Sequence, residues 1–209
     1  FFDCRFLLTN PEQKKTEFEI SHIPRSSYIN LEHDLSDPPI QEKTGRHPLP
    51  KIKDLVEKFS RWGIDSSIQV VVYDDFGGAH AARFWWMLRW LGHDAVAVLD
   101  GGWQRWINER RPISSEKFYS EYRKFNPITR HHLCVNVENI IDYFDKERFC
   151  LLDARSHERF TGKNETVDRI GGHIPGAISI PFSMNLREDG SWKSKSELHN
   201  MYSKILGIH

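Results

Sequence analysis

The sequence predicts an α/β protein built from central, mostly parallel sheets flanked by helices, arranged as two tandem copies of which the second is incomplete. Three observations carry this. Asp3-Cys4-Arg5, followed by His22-Ile23-Pro24-Arg25-Ser26-Ser27-Tyr28-Ile29, reappears about 150 residues later as Asp153-Ala154-Arg155, followed by His173-Ile174-Pro175-Gly176-Ala177-Ile178-Ser179-Ile180. Gln69-Val70-Val71-Val72-Tyr73 is a continuous β-branched run, as a strand buried on both faces requires. Strand and helix signals alternate along the chain, the pattern of a parallel sheet covered by helices.

Each copy reads as strand, helix, His-Ile-Pro turn, strand and amphipathic helix. The register extends to Phe59-Ser60-Arg61-Trp62-Gly63-Ile64, answered with one residue inserted by Tyr202-Ser203-Lys204-Ile205-Leu206-Gly207-Ile208. The first copy then adds a strand over 68–73, the glycine loop Asp74-Asp75-Phe76-Gly77-Gly78, a helix from Ala79, a strand over 96–99 and a last helix; the second has no counterpart to these. A strand, glycine loop and helix N-terminus gather free backbone N–H groups and make the natural anion-binding position of such a unit. The chain is therefore expected to end just short of its second such loop. The helix over 79–91 carries Trp85, Trp86 and Trp90 and is too apolar all round for a surface helix. It is expected to pack between the sheet and the other domain, with ligand stacking the lesser reading. From 109 to 132 periodicity fails, through Arg110-Arg111-Pro112, Asn126-Pro127 and His131-His132, a histidine pair without the partners of a metal site. The expected division is a first domain over 1–111, a linker over 112–132 and a second domain over 133–209.

Charge and composition exclude several classes. Lys+Arg and Asp+Glu both number 29, leaving no net field to attract nucleic acid or an anionic membrane. No run approaches the roughly 20 apolar residues of a membrane span, and no leader pattern opens the chain. Since Phe1-Phe2-Asp3-Cys4-Arg5 matches the interior of the second copy's strand, that absence weighs little. Three cysteines at unpatterned spacings, Cys4, Cys134 and Cys150, argue against a disulfide framework and for a reducing compartment, by default the cytosol. Asn164-Glu165-Thr166 fits the glycosylation triplet, which in such a compartment is a chance match.

With the His-Ile-Pro turns, Asp153-Ala154-Arg155-Ser156-His157-Glu158-Arg159-Phe160, the glycine loop and Val98-Leu99-Asp100-Gly101-Gly102-Trp103 taken together, the chain resembles the tandem-domain rhodanese family, the thiosulfate and 3-mercaptopyruvate sulfurtransferases. The resemblance covers essentially the whole chain. It implies two rhodanese-like domains, the first silent and the second bearing a cysteine on the loop after its central strand. That cysteine takes sulfur from a small anionic donor as a persulfide and passes it to cyanide or a thiol. The resemblance calls for no cofactor and no metal, and places the nucleophilic cysteine beyond His209, so that the chain as given should be inactive.

Asp75 lies at or within a residue of the family's cysteine position in the first copy. A carboxylate cannot accept sulfane sulfur, so Asp75 is read as a cap for the helix that follows. Phosphate binding is disfavoured there because no Lys-Ser/Thr pair follows the glycines. Arg155 has a twin, Arg5, in the silent copy and is read as a structural ion pair. Arg159 has none, Thr9 standing in its place, and the resemblance makes Arg159 a donor-binding residue. It points to Arg169 as a second. His22 and His173 recur in both copies and are read as fixing the turn before a strand by hydrogen bonds. None of the three cysteines follows a strand into a glycine loop. The alternative function is a non-catalytic pair of rhodanese-like domains that binds a protein partner or an anion; a dual-specificity phosphatase is a distant third, for want of a Cys-x5-Arg loop.

Overall fold

Residue Phe2 pairs on one side with Ser27 and on the other with Val72, and this three-strand register sets the frame of the first unit. The structure, a computed structural model, describes residues 1–144 and 149–207. Ile208 of the repeat register and His209 lie outside them. The chain divides into two compact units, Phe1–Cys134 and Val135–His209.

In the first unit β1 (Phe2–Asp3), β2 (Ser27–Tyr28), β3 (Val70–Tyr73) and β4 (Val96–Val98) form one sheet in the order β2-β1-β3-β4, every pair parallel. Val70, Val72 and Tyr73 are buried, as the uninterrupted apolar run of β3 predicts. The helices α1 (Pro11–Ile20), α2 (Ile52–Arg61) and α3 (Ala81–Trp90) connect these strands, and α4 (Gly102–Asn108) follows the last of them. Pro11 opens α1, where a missing N–H costs nothing. Phe2, Phe59 from α2 and Phe84 from α3 meet at the centre of the core, Phe84 lying edge-on to Phe2 at 5.3 Å. Each such ring contributes about 2–3 kcal/mol by leaving water. On α3, Phe84, Met87 and Leu88 are buried, whereas Trp85 lies under the Arg89 guanidinium and Trp86 stacks on Trp90 at 5.4 Å. The tryptophans are thus occupied by packing within the unit.

Residues 112–132, which sequence periodicity leaves as a linker, run along the first unit. Ser114 bridges His22 in antiparallel fashion, Arg123 and Ile128 donate their N–H groups to the carbonyls of Ser60 and Leu91, and Phe125 enters the core at 4% exposure. Gly92 permits the approach: it has φ +90°, and a Cβ there would lie 2.7 Å from the Ile128 carbonyl oxygen.

Among its described residues the second unit holds one parallel pair, β5 (Leu152–Asp153) and β6 (Ile178–Ser179), with α5 (Val137–Phe144), α6 (His157–Phe160) and α7 (Lys195–Leu206). Ser194 caps α7 in a reciprocal box with Glu197, and Gly207 closes it in the left-handed conformation. Ile180 is buried, while Val137, Ile141, Ile170 and Ile174 stay exposed. No helix among the described residues is long and apolar enough to cross a membrane.

Candidate active site

The loop between β3 and α3 is an anion cradle that already holds an anion. The Asp74 carboxylate, on a residue 1% exposed, accepts the N–H groups of Phe76 and Gly78 on Oδ1 and of His80 and Ala81 on Oδ2, all at 2.8–2.9 Å. The capping residue is therefore Asp74 and not Asp75, the residue that the sequence suggests. Successive side chains leaving a strand point to opposite sides, so Asp74 turns toward the helix start while Asp75 turns away, to Lys14 Nζ at 2.8 Å. Accordingly α3 begins at Ala81 rather than Ala79, after a turn drawn in by the carboxylate. The Asp74 carbonyl accepts the Trp103 N–H at 2.8 Å. Gly102, at φ +53°, makes room for that contact, since a Cβ there would collide with the same carbonyl oxygen. A cavity of about 430 Å³ in this unit, lined by Phe18, His22, Tyr28 and Phe118 among others, lies beside α1 and the edge strand β2, and no residue of the β3–α3 loop lines it.

None of the three cysteines lies on such a loop. Cys4 is buried in the core, where burial first and then the charges of Asp3 and Asp74 push its thiol well up. That keeps it protonated and unreactive. Cys134 and Cys150 are exposed, one after a short 3-10 turn and one before β5.

The two Asp-x-Arg segments make the same contacts in both units. Arg5 reaches Asp3 through Nε and Nη2 at 2.8–3.1 Å and donates from Nη2 to the Ser21 carbonyl. Arg155 reaches Asp153 at 2.6–3.1 Å and donates from Nη2 to the Gly172 carbonyl. Side-chain exposures are 2% and 0% for Arg5 and Asp3, against 30% and 14% for Arg155 and Asp153. In the second unit the Arg155 guanidinium holds the Asp153 carboxyl below its usual range. His22 Nδ1 lies 2.7 Å from the Phe18 carbonyl oxygen and His173 Nδ1 the same distance from that of Phe160, each ring stacked on its phenylalanine. Both histidines thus tie down the turn before a strand.

Arg159 sits at the centre of a cluster that sequence reasoning missed. Its Nε–H donates to both oxygens of Glu165 (3.0 and 3.2 Å) and its Nη2 to Asp168 (2.6 Å). Glu165 also accepts the N–H groups of Val167 and Asp168, both at 2.8 Å, and its side chain is 5% exposed. The Asp168 amide first, then the Arg159 guanidinium, pull the Glu165 carboxyl down to about 2. Glycines close the neck of this loop: a Cβ on Gly162 would lie 3.1 Å from the Gly172 nitrogen, and one on Gly171 would lie 3.2 Å from the Gly162 Cα. Two carboxylates shortly after Arg159, inside a segment bounded by glycines, were the available signal. Arg169 is exposed and makes no ion pair among the described residues; the structure does not bring it to Arg159 through any contact. No grouping of metal ligands occurs among the described residues.

A parallel sheet with a glycine loop opening the helix after its central strand, and Asp-Arg pairs fixing the strand ends, defines an α/β unit of the rhodanese type. The rhodanese-like domain family matches residues 1–109. Over 205 residues, 98% of this chain and 72% of the relative, the chain is 38% identical to a probable 3-mercaptopyruvate sulfurtransferase of Pseudomonas aeruginosa. It is 31% identical to the thiosulfate sulfurtransferase of Rattus norvegicus, covering 96% of this chain and 68% of that one. The solved 3-mercaptopyruvate sulfurtransferase from Leishmania major superposes with a TM-score of 0.82 at 26% identity, over 98% of this chain and 57% of its own length. The chain belongs to the rhodanese family, and its relatives are sulfurtransferases.

Two outcomes follow from the site. Asp74→Ala strands four N–H donors, those of Gly78 and Ala81 buried and those of Phe76 and His80 partly so, and should cost about 2–3 kcal/mol in denaturant unfolding, whereas Asp75→Ala, losing one Lys14 pair near the surface, should cost less than about 1 kcal/mol. Glu165 is held at about 2, and Glu197, mainly by Ser194 and then Arg187, also at about 2. Their folded values lie below an unfolded value of roughly 4.3, so their contribution to stability is complete above about pH 5 and is lost as the pH falls toward 2. Amide exchange at Val167 and Asp168 should accelerate across that interval, beyond the intrinsic pH dependence of exchange.

Proposed function

We propose that the chain forms the larger part of a cytosolic sulfurtransferase built from two tandem rhodanese-like domains, with its nucleophilic cysteine on a loop beyond His209. What supports this reading is similarity to sulfurtransferases along nearly the whole chain, together with an arginine, Arg159, that keeps its Nη1 edge without a partner among the described residues. In the proposed reaction an anionic donor, thiosulfate or 3-mercaptopyruvate, is held by Arg159, and Arg169 is the second arginine proposed to bind it. A cysteine thiolate attacks the outer sulfur of thiosulfate; the S–S bond breaks, sulfite leaves with the electron pair, and a cysteine persulfide remains. With 3-mercaptopyruvate the C–S bond breaks instead, and the thiol proton ends on the methyl carbon of pyruvate. Cyanide or a thiol then takes the terminal sulfur and returns the thiolate. The first unit supports the fold and takes no part in the chemistry, because Asp74 occupies its loop and carries no transferable sulfur.

The second reading, a non-catalytic pair that binds a protein partner or an anion, shares with the first a β3–α3 glycine loop filled by the protein's own carboxylate. The residue on the loop after the next strand of the second domain decides between the two, a cysteine supporting the enzyme.

A polypeptide of verified 24.6 kDa mass ending at His209 should form no thiocyanate from thiosulfate and cyanide; detectable turnover would place the nucleophile among Cys4, Cys134 and Cys150. In a polypeptide that carries the expected loop, Arg159→Ala should weaken apparent donor affinity roughly ten- to a hundredfold, the loss of a charge-assisted contact of about 1.5–3 kcal/mol. Arg155→Ala should act mainly on thermal stability. Equal kinetic damage from both substitutions would reverse the two roles.

A further inference from the structure

Arg159 is half engaged before any donor arrives. Its Nε and Nη2 hydrogens face Glu165 and Asp168, and the Nη1 edge has no partner among the described residues. In this cluster three carboxylates, Asp153, Glu165 and Asp168, stand against two guanidiniums, Arg155 and Arg159. Glu165 is the carboxylate the others share: Arg159 Nε lies 3.0 Å from it and Arg155 Nη1 3.8 Å. It cannot swing aside to suit a ligand, because the amides of Val167 and Asp168 hold one of its oxygens and the glycine neck at Gly162 and Gly171 closes the loop behind it. An anion reaching Arg159 therefore always meets a fixed negative charge next to the positive one.

We infer that Glu165 is a specificity-determining residue of the donor site, penalising doubly charged donors relative to singly charged ones by standing ionised beside Arg159. The inference rests on the assignment of Arg159 to donor binding. Repulsion scales with the charge of the ligand, so Glu165 opposes the thiosulfate dianion twice as strongly, in free energy, as the 3-mercaptopyruvate monoanion. Glu165→Gln keeps the size and the acceptor oxygen but removes the charge. If it tightens the monoanion by a given factor, it should tighten the dianion by about the square of that factor.

The test titrates the 209-residue chain with thiosulfate and, separately, with 3-mercaptopyruvate at pH 7.5 and constant ionic strength, following the Val167 and Asp168 amides by NMR, which reads millimolar affinities. Glu165→Gln is expected to tighten 3-mercaptopyruvate about threefold and thiosulfate about tenfold, as one charge at a partly screened distance allows. Equal factors for the two donors, no change, or weaker binding of both would overturn the inference. Should Glu165→Gln fail to fold, Asp168→Asn removes a charge from the more exposed partner of Arg159 and decides by the same squared relation. Arg159→Ala is the control: if it leaves both affinities unchanged, the donor-binding assignment fails and this inference with it. If Arg159→Ala abolishes binding while Glu165→Gln changes nothing, only the inference fails.

Discussion

The four N–H groups converging on the Asp74 carboxylate are the constraint on which the first unit depends. A loop that leads from a buried strand into a helix presents backbone donors that no strand or helix satisfies, and these must find an acceptor or cost several kcal/mol together. Asp74 supplies both oxygens from the chain itself. Through its carbonyl it also holds the N-terminus of α4 at Trp103, so the end of β3, the start of α3 and the start of α4 are fixed by one residue. A bound anion could satisfy the same donors only by surrendering its translational freedom, which a side chain has already given up.

The paired arginines show how one geometry behaves in two surroundings. Arg5 and Asp3 are almost wholly buried, and Trp103 lies against the Arg5 guanidinium at 4.4 Å. Burial pushes the Asp3 carboxyl up, and the Arg5 guanidinium pulls it back. Such a pair adds little net stability over apolar residues, but losing one partner leaves a bare charge inside. Arg155 and Asp153 hold the same pose with solvent nearby, where the same loss is partly made good by water.

The parts of the fold that were legible in the sequence are those that repeat at a fixed period or recur in both copies. The β-branched run of Val70, Val71 and Val72 could only be a covered strand, and the two His-Ile-Pro turns located the strands that follow them. Two features escaped for a common reason. Asp74 and Asp75 differ by one position, and choosing between them needs the direction of a side chain leaving the strand, which the local sequence does not encode. Glu165 and Asp168 act through a loop closed by Gly162, Gly171 and Gly172, an aperiodic segment whose contacts are set by backbone conformation. The burial of Phe125 was likewise invisible, because a chain that lies on a core without helix or strand carries no period to betray it.

The place of Cys4 has a practical consequence. Its thiol is sealed in the core between Asp3 and Asp74, while Cys134 and Cys150 meet solvent. A thiol reagent applied to the folded protein will therefore modify two sites at once and the third only as fast as the sheet opens. The slow phase of alkylation is a clock for the opening of the first unit, and it needs no probe beyond the cysteine the chain already carries.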